Sequence, residues 1–91
     1  MIKVKVTSFF TLKDLLGDCN VALSPEDCSV NALLKELVKI YGEKFSKQVL
    51  DSKTGEVKFY RVVLNNRQCD DFDAPLKDGD TIQFYPALAG G

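Results

Sequence analysis

The sequence predicts an α+β domain in which one main helix covers one face of a mixed sheet, and three patterns predict it. Apolar and polar side chains alternate over residues 2–7, apolar side chains recur at helical spacing over residues 30–41, and short apolar runs broken by turn residues return over residues 57–85. Strands therefore precede the helix and strands follow it.

Ile2, Val4 and Val6 share one face of the opening segment, while Lys3, Lys5, Thr7 and Phe9 share the other. This period of two is that of a half-buried strand, and it puts an aromatic ring, Phe9, on the polar face. A loop with room for a helical turn runs from Thr11 to Gly17. Val21-Ala22-Leu23 gives a short second strand, which forms a long-looped hairpin with the first, and Ser24-Pro25-Glu26-Asp27 reads as a turn or helix start. Val30, Leu33, Leu34, Leu37, Val38 and Tyr41 then recur at i, i+3 and i+4, so a helix is predicted with Ser29 as N-cap and Gly42 as its stop. Residues Glu43 to Gly55 are polar and irregular, anchored only by Phe45, Val49 and Leu50, with a helical turn expected to end at Lys53-Thr54-Gly55. Val57 to Leu64 reads as an apolar strand, Asn65-Asn66 as a tight turn and Arg67 to Cys69 as a short return strand. Leu76-Lys77-Asp78-Gly79-Asp80 turns the chain into a last strand, Thr81 to Tyr85, with Ile82 and Phe84 facing in and Thr81, Gln83 and Tyr85 facing out.

This order is that of the β-grasp, in which the first and last strands are parallel neighbours at the sheet centre. Phe9 and Tyr85 each close one of those strands on its outward face, so the two rings are expected side by side. Clustered exposed aromatics suggest a docking patch for a partner; the alternative is that the loop from Phe10 to Leu16 folds over them.

Beyond the last strand the chain reads Pro86-Ala87-Leu88-Ala89-Gly90-Gly91. Two glycines make a thin, permissive backbone able to enter a channel too narrow for side chains, and the Gly91 carboxylate is then the reactive group. A carboxylate is a poor acyl donor until it is activated, for example as an acyl-adenylate, so residues 86–91 read as a flexible tail presented to other enzymes. The plainer alternative is a frayed chain end.

Composition sets the remaining bounds. The 91 residues make one domain, 45% hydrophobic and 27% charged, too small to build a deep catalytic cleft beside its core. The 12 basic and 13 acidic residues are interspersed to a net charge of −1, which argues against nucleic acid and against a polybasic membrane patch. The start alternates polar and apolar residues unlike a signal peptide, so a cytoplasmic protein is expected. Cys19, Cys28 and Cys69 are unpaired in number and widely spaced, and the chain has no histidine; reduced structural thiols are expected, without a metal site. Asp78 and Asp80 flank a glycine at a strand entrance and read as turn formers, not as a catalytic pair, and Asp70, Asp71 and Asp73 read as a solvated loop. Gly17, Gly42, Gly55 and Gly79 are too scattered for a phosphate-binding loop, so any ATP belongs to an activating partner.

Residues 76–91, from the acidic turn through the last strand and proline-led tail to the terminal diglycine, resemble the sulfur-carrier family that includes the molybdopterin synthase small subunit (MoaD) and the thiamin-pathway carrier (ThiS). Phe9-Phe10, Lys13 to Gly17, Ser29-Val30-Asn31-Ala32-Leu33 and Val63-Leu64-Asn65-Asn66 extend the resemblance almost end to end, and the extra segment between Gly42 and Val57 resembles the molybdopterin-type member more. The resemblance implies a carrier that is not itself an enzyme. Gly91 would be adenylated by a MoeB/ThiF-like activating enzyme and converted to a thiocarboxylate, Gly90 would give clearance, and the sulfur would be delivered in a MoaE-like large subunit of molybdopterin synthase. It further implies that Phe9, Tyr85, Pro86 and Leu88 contact these partners. Ala87 stands where a second proline is frequent, and Arg67-Gln68 where an apolar contact is usual. Another sulfur pathway, such as thiazole formation or amino-acid sulfuration, or a ubiquitin-like modifier joined to lysines through Gly91, therefore stays open as an alternative.

Overall fold

The computed structural model describes residues 1–9 and 11–86. Its elements are β1 (Ile2–Ser8), α1 (Thr11–Leu16), β2 (Cys19–Leu23), α2 (Val30–Tyr41), α3 (Glu43–Val49), β3 (Tyr60–Leu64), β4 (Arg67–Gln68) and β5 (Thr81–Pro86). The strands form one sheet in the order β2-β1-β5-β3-β4. β1 and β5 run parallel at its centre, and every other neighbouring pair is antiparallel, as the β-grasp reading expects.

The period of two decides what the sheet buries. Val4 and Val6 of β1, Val21 and Leu23 of β2, Val62 of β3 and Ile82 and Phe84 of β5 all face the helices and are buried. α2 covers them with Val30, Leu33, Leu34 and Leu37, and starts where Ser29 Oγ accepts the Ala32 N–H at 3.1 Å. It stops at Gly42, whose φ of 67° suits glycine and whose N–H donates to Val38 O at 2.7 Å.

The same glycine opens α3: Phe45 N and Ser46 N both donate to Gly42 O. Residues 43–49, expected to be irregular, thus form a two-turn helix. Phe45 and Val49, one turn apart, are both fully buried, and Phe45 meets Phe84 edge to face with centroids 6.0 Å apart. The helical layer is therefore α2 with two short companions, α1 and α3. The turn around residue 55 does occur, with Gly55 N donating to Asp51 O at 2.8 Å.

A second boundary shifts for a related reason. The strand expected from Val57 begins at Tyr60, because Lys58 N donates to Val49 O and Val57 bridges Leu50. These residues tie down the end of α3 before the chain joins the sheet. The return strand is Arg67–Gln68, and Cys69 N still reaches Val62 O at 2.9 Å. Pro86, expected to open the tail, is instead the last residue of β5 and pairs with Tyr60; lacking an N–H, it gives no further ladder bond from its own nitrogen.

Candidate functional site

The site is set by the register of the two central strands, and a turn fixes that register. Asp78 Oδ1 accepts the Lys3 N–H at 2.7 Å, Gly79 N donates to Lys3 O at 2.8 Å, and Lys5 N donates to Asp80 O at 2.9 Å. Gly79, at a φ of 89°, holds the left-handed conformation that this turn requires. Asp80 Oδ2 also accepts the Lys77 N–H at 2.7 Å. Both carboxylates are thus spent on building the turn, as their spacing suggested.

From this anchor the pairs run Lys5 with Thr81, Val6 with Ile82, Thr7 with Gln83 and Ser8 with Phe84. One step further, Phe9 meets Tyr85. The rings stack with centroids 4.6 Å apart and planes 17° from parallel. Tyr85 keeps 37% of its surface exposed and Phe9 is half-buried, so the stacked pair is still open to solvent on one side. Below them Phe84 is fully buried, which leaves β5 little freedom to shift.

Two residues that the sequence did not single out complete the surroundings. Arg61 on β3 lies opposite Tyr85, on the outward face, and is exposed. Ser8 is fully buried, and its Oγ donates to Gly17 O at 3.4 Å, which helps to hold the loop between β1 and β2. The period of two of β3, with Val62 inward, was the available signal for Arg61. Pro86, at the end of β5, marks the root of the tail. Leu88, Gly90 and Gly91, the other residues expected to act, lie outside the described residues.

The remaining candidates have structural roles. Asp73 Oδ1 accepts from Asn31 Nδ2 at 2.7 Å and Asp71 Oδ1 accepts the Asp73 N–H, so these side chains pin a loop to the start of α2. Among the described residues no cluster of histidine, cysteine or carboxylate side chains has a metal-binding arrangement. Burial pushes the thiols of Cys19 and Cys69 up, away from the reactive thiolate. Two surface depressions, of about 650 and 570 Å³, sit around α3 and the start of α2, and neither is lined by Phe9, Tyr85 or Pro86. No described helix is long and apolar enough to cross a membrane.

The fold is shared with several solved structures. A Pyrococcus furiosus protein provisionally assigned as molybdopterin converting factor, subunit 1, is 30% identical, with a TM-score of 0.77 over 97% of this chain and 100% of that one. The small archaeal modifier protein 1 of Haloferax volcanii has a TM-score of 0.83 at 19% identity over 97% of this chain and 100% of its own. Subunit 1 of the Helicobacter pylori molybdopterin-converting factor, solved in complex with subunit 2, has a TM-score of 0.65 at 24% identity, covering 99% of this chain and 100% of that one. The last two likenesses speak to the fold alone. No curated protein sequence matches significantly. The ThiS family model matches residues 6–91, from the middle of β1 to the terminal diglycine. Covering nearly the whole chain, this match establishes that the protein belongs to the ThiS family of ubiquitin-like sulfur carriers.

Proposed function

We propose that this chain carries sulfur as a thiocarboxylate on Gly91 and delivers it in molybdopterin biosynthesis. An activating enzyme binds ATP and joins the Gly91 carboxylate to AMP with loss of pyrophosphate. A sulfur donor then attacks the acyl carbon, and AMP leaves. The thiocarboxylate releases its sulfur in the active site of a large partner subunit, in the cytoplasm.

The observation that carries this reading is the position of the diglycine. β5 ends at Pro86, beside the Phe9–Tyr85 stack, and five residues, 87–91, follow it. Five extended residues span roughly 17 Å, enough to carry Gly91 from a docked sheet into a partner's buried site. Gly90 gives the clearance there, and Leu88 gives the tail an apolar contact. The molybdopterin assignment is supported by the 30% identity to the Pyrococcus furiosus protein over its whole length.

The test is fragmentation mass spectrometry of the protein after incubation with an adenylating enzyme, ATP and a sulfur donor. One oxygen at Gly91 replaced by sulfur is expected, and a Gly91 deletion variant should fold but acquire none. Fragmentation is needed because oxidation of Met1 or a cysteine adds nearly the same mass. Lysine adducts through Gly91 without sulfur would instead identify a protein modifier.

A further inference from the structure

The outward face of the sheet has a charge asymmetry that the tail chemistry does not require. The chain has 13 acidic residues, yet among the described residues no strand contains an aspartate or a glutamate. Lys3 and Lys5 on β1 and Arg61 on β3 stand exposed on that face. None of them is in an ion pair among the described residues. The nearest carboxylates, Asp78 and Asp80, keep their charge but lie in the turn before β5, where they accept from the Lys3 N–H and from Lys77 N and Asn65 Nδ2, four residues or more along β5 from the level of Arg61.

Register gives the layout. Arg61 lies opposite Tyr85, and Lys5 lies opposite Thr81, so Lys5 and Arg61 are separated by roughly 13 Å along the strands and about 10 Å across them. A single phosphate or carboxylate cannot touch both. What fits is a broad surface carrying dispersed carboxylates. Nucleic acid is a poorer match, because these few cations belong to a chain of net charge −1.

We propose that this sheet face docks an acidic protein surface, Arg61 and Lys5 selecting the partner by charge while the Phe9–Tyr85 stack makes the apolar contact. The proposal rests on the reading of Gly91 as a partner-activated terminus, because the face adjoins the root of that tail. Rim cations act mainly on the rate of encounter and on the rejection of wrong partners, whereas a packed aromatic slows dissociation. A protein with slight net negative charge would otherwise be repelled by an acidic partner; a locally basic face overcomes that repulsion at close range.

The experiment measures association and dissociation rates of the full chain with the purified adenylating enzyme of the same organism, at low and high salt. The wild-type association rate constant should fall by about tenfold or more as salt rises. At low salt the Lys5→Glu/Arg61→Glu variant should associate about tenfold more slowly while dissociation changes by less than about threefold, with Lys5→Gln/Arg61→Gln intermediate. A control with the same charge change in the helical layer, Lys35→Glu/Lys44→Glu, should behave as wild type. Equal losses in the control and sheet-face variants, or none in either, would overturn the proposal, as would tighter binding of a single-stranded RNA oligonucleotide than of the enzyme. Mass spectrometry of the same mixtures separates the two readings. Sulfur on Gly91 with charge-insensitive association overturns the docking surface alone, and a salt-sensitive complex that never loads sulfur overturns the carrier chemistry alone.

Discussion

Asn65 and Asp80 are hydrogen-bonded side chain to side chain, Asn65 Nδ2 donating to Asp80 Oδ1 at 2.9 Å. The same carboxamide accepts the Thr81 N–H at 2.9 Å, and Asn65 N donates to Thr81 O at 2.9 Å. One residue in a tight turn thereby holds the start of β5. Its φ of 49° lies in the left-handed region that asparagine tolerates better than most residues. Asn65→Ala loses both side-chain bonds and strains the backbone, and should cost about 2 kcal/mol of stability in chemical denaturation. Asn65→Gly, which relieves only the strain, should lose less.

Phe45→Ala tests whether α3 belongs to the core. The ring is fully buried against Phe84, so its removal should cost about 3–5 kcal/mol, a large share of the stability of so small a domain. A midpoint shift under urea no larger than that of an exposed-site variant would contradict this packing.

Tyr85→Ala separates docking from folding. Loss of the stack with Phe9 should lower stability by about 1 kcal/mol, because the ring is partly exposed. Affinity for the activating enzyme should fall by more, roughly tenfold or greater. Tyr85→Phe should retain most of both, which calorimetric titration beside a denaturation series would show.

The thiols give a pH-dependent prediction. Burial raises Cys19 and Cys69, so the folded state holds these protons more tightly than the unfolded chain does. Stability from this source is fully present below the unfolded thiol value of about 8.5 and is lost as pH rises through the higher folded values. Denaturation midpoints should therefore decline above that pH, with a smaller decline in a Cys19→Ala/Cys69→Ala variant. Alkylation of both thiols at neutral pH should be slower than that of a free cysteine peptide.

Much of the arrangement was legible because two periodicities decide it. The alternation in residues 2–9 and 81–85 assigns each side chain to a face, and a parallel central pair then brings Phe9 to Tyr85 without further information. The helix from Val30 was equally plain, having both a serine cap and a glycine stop. α3 was not legible, because Phe45 and Val49 are its only buried apolar pair and two positions at i, i+4 do not distinguish a helix from an anchored loop. Gly42 compounded this: a glycine that ends one helix normally hands over to irregular chain, whereas here it also opens the next. The late start of β3 follows from backbone bonds between Lys58, Phe59 and Val49, long-range pairings that no local pattern announces. Arg61 carries no signal of a role in the sequence, because an exposed arginine on a strand is ordinary until its neighbour across the sheet, Tyr85, is known.

The parallel pairing of β1 with β5 also bears on how the chain is made. Residues 5 and 81 are neighbours in the sheet though nearly the whole domain separates them in sequence. Until Thr81–Pro86 arrives, β1 has only β2 beside it and β3 only β4, so a nascent chain holds two disconnected hairpins, each marginal alone. Such distant closure slows folding, because the loop entropy is lost before the long-range contacts reward it. A copy broken off before residue 81 lacks the strand that joins β1 to β3, so it cannot assemble the five-stranded sheet and its two hairpins stay separate.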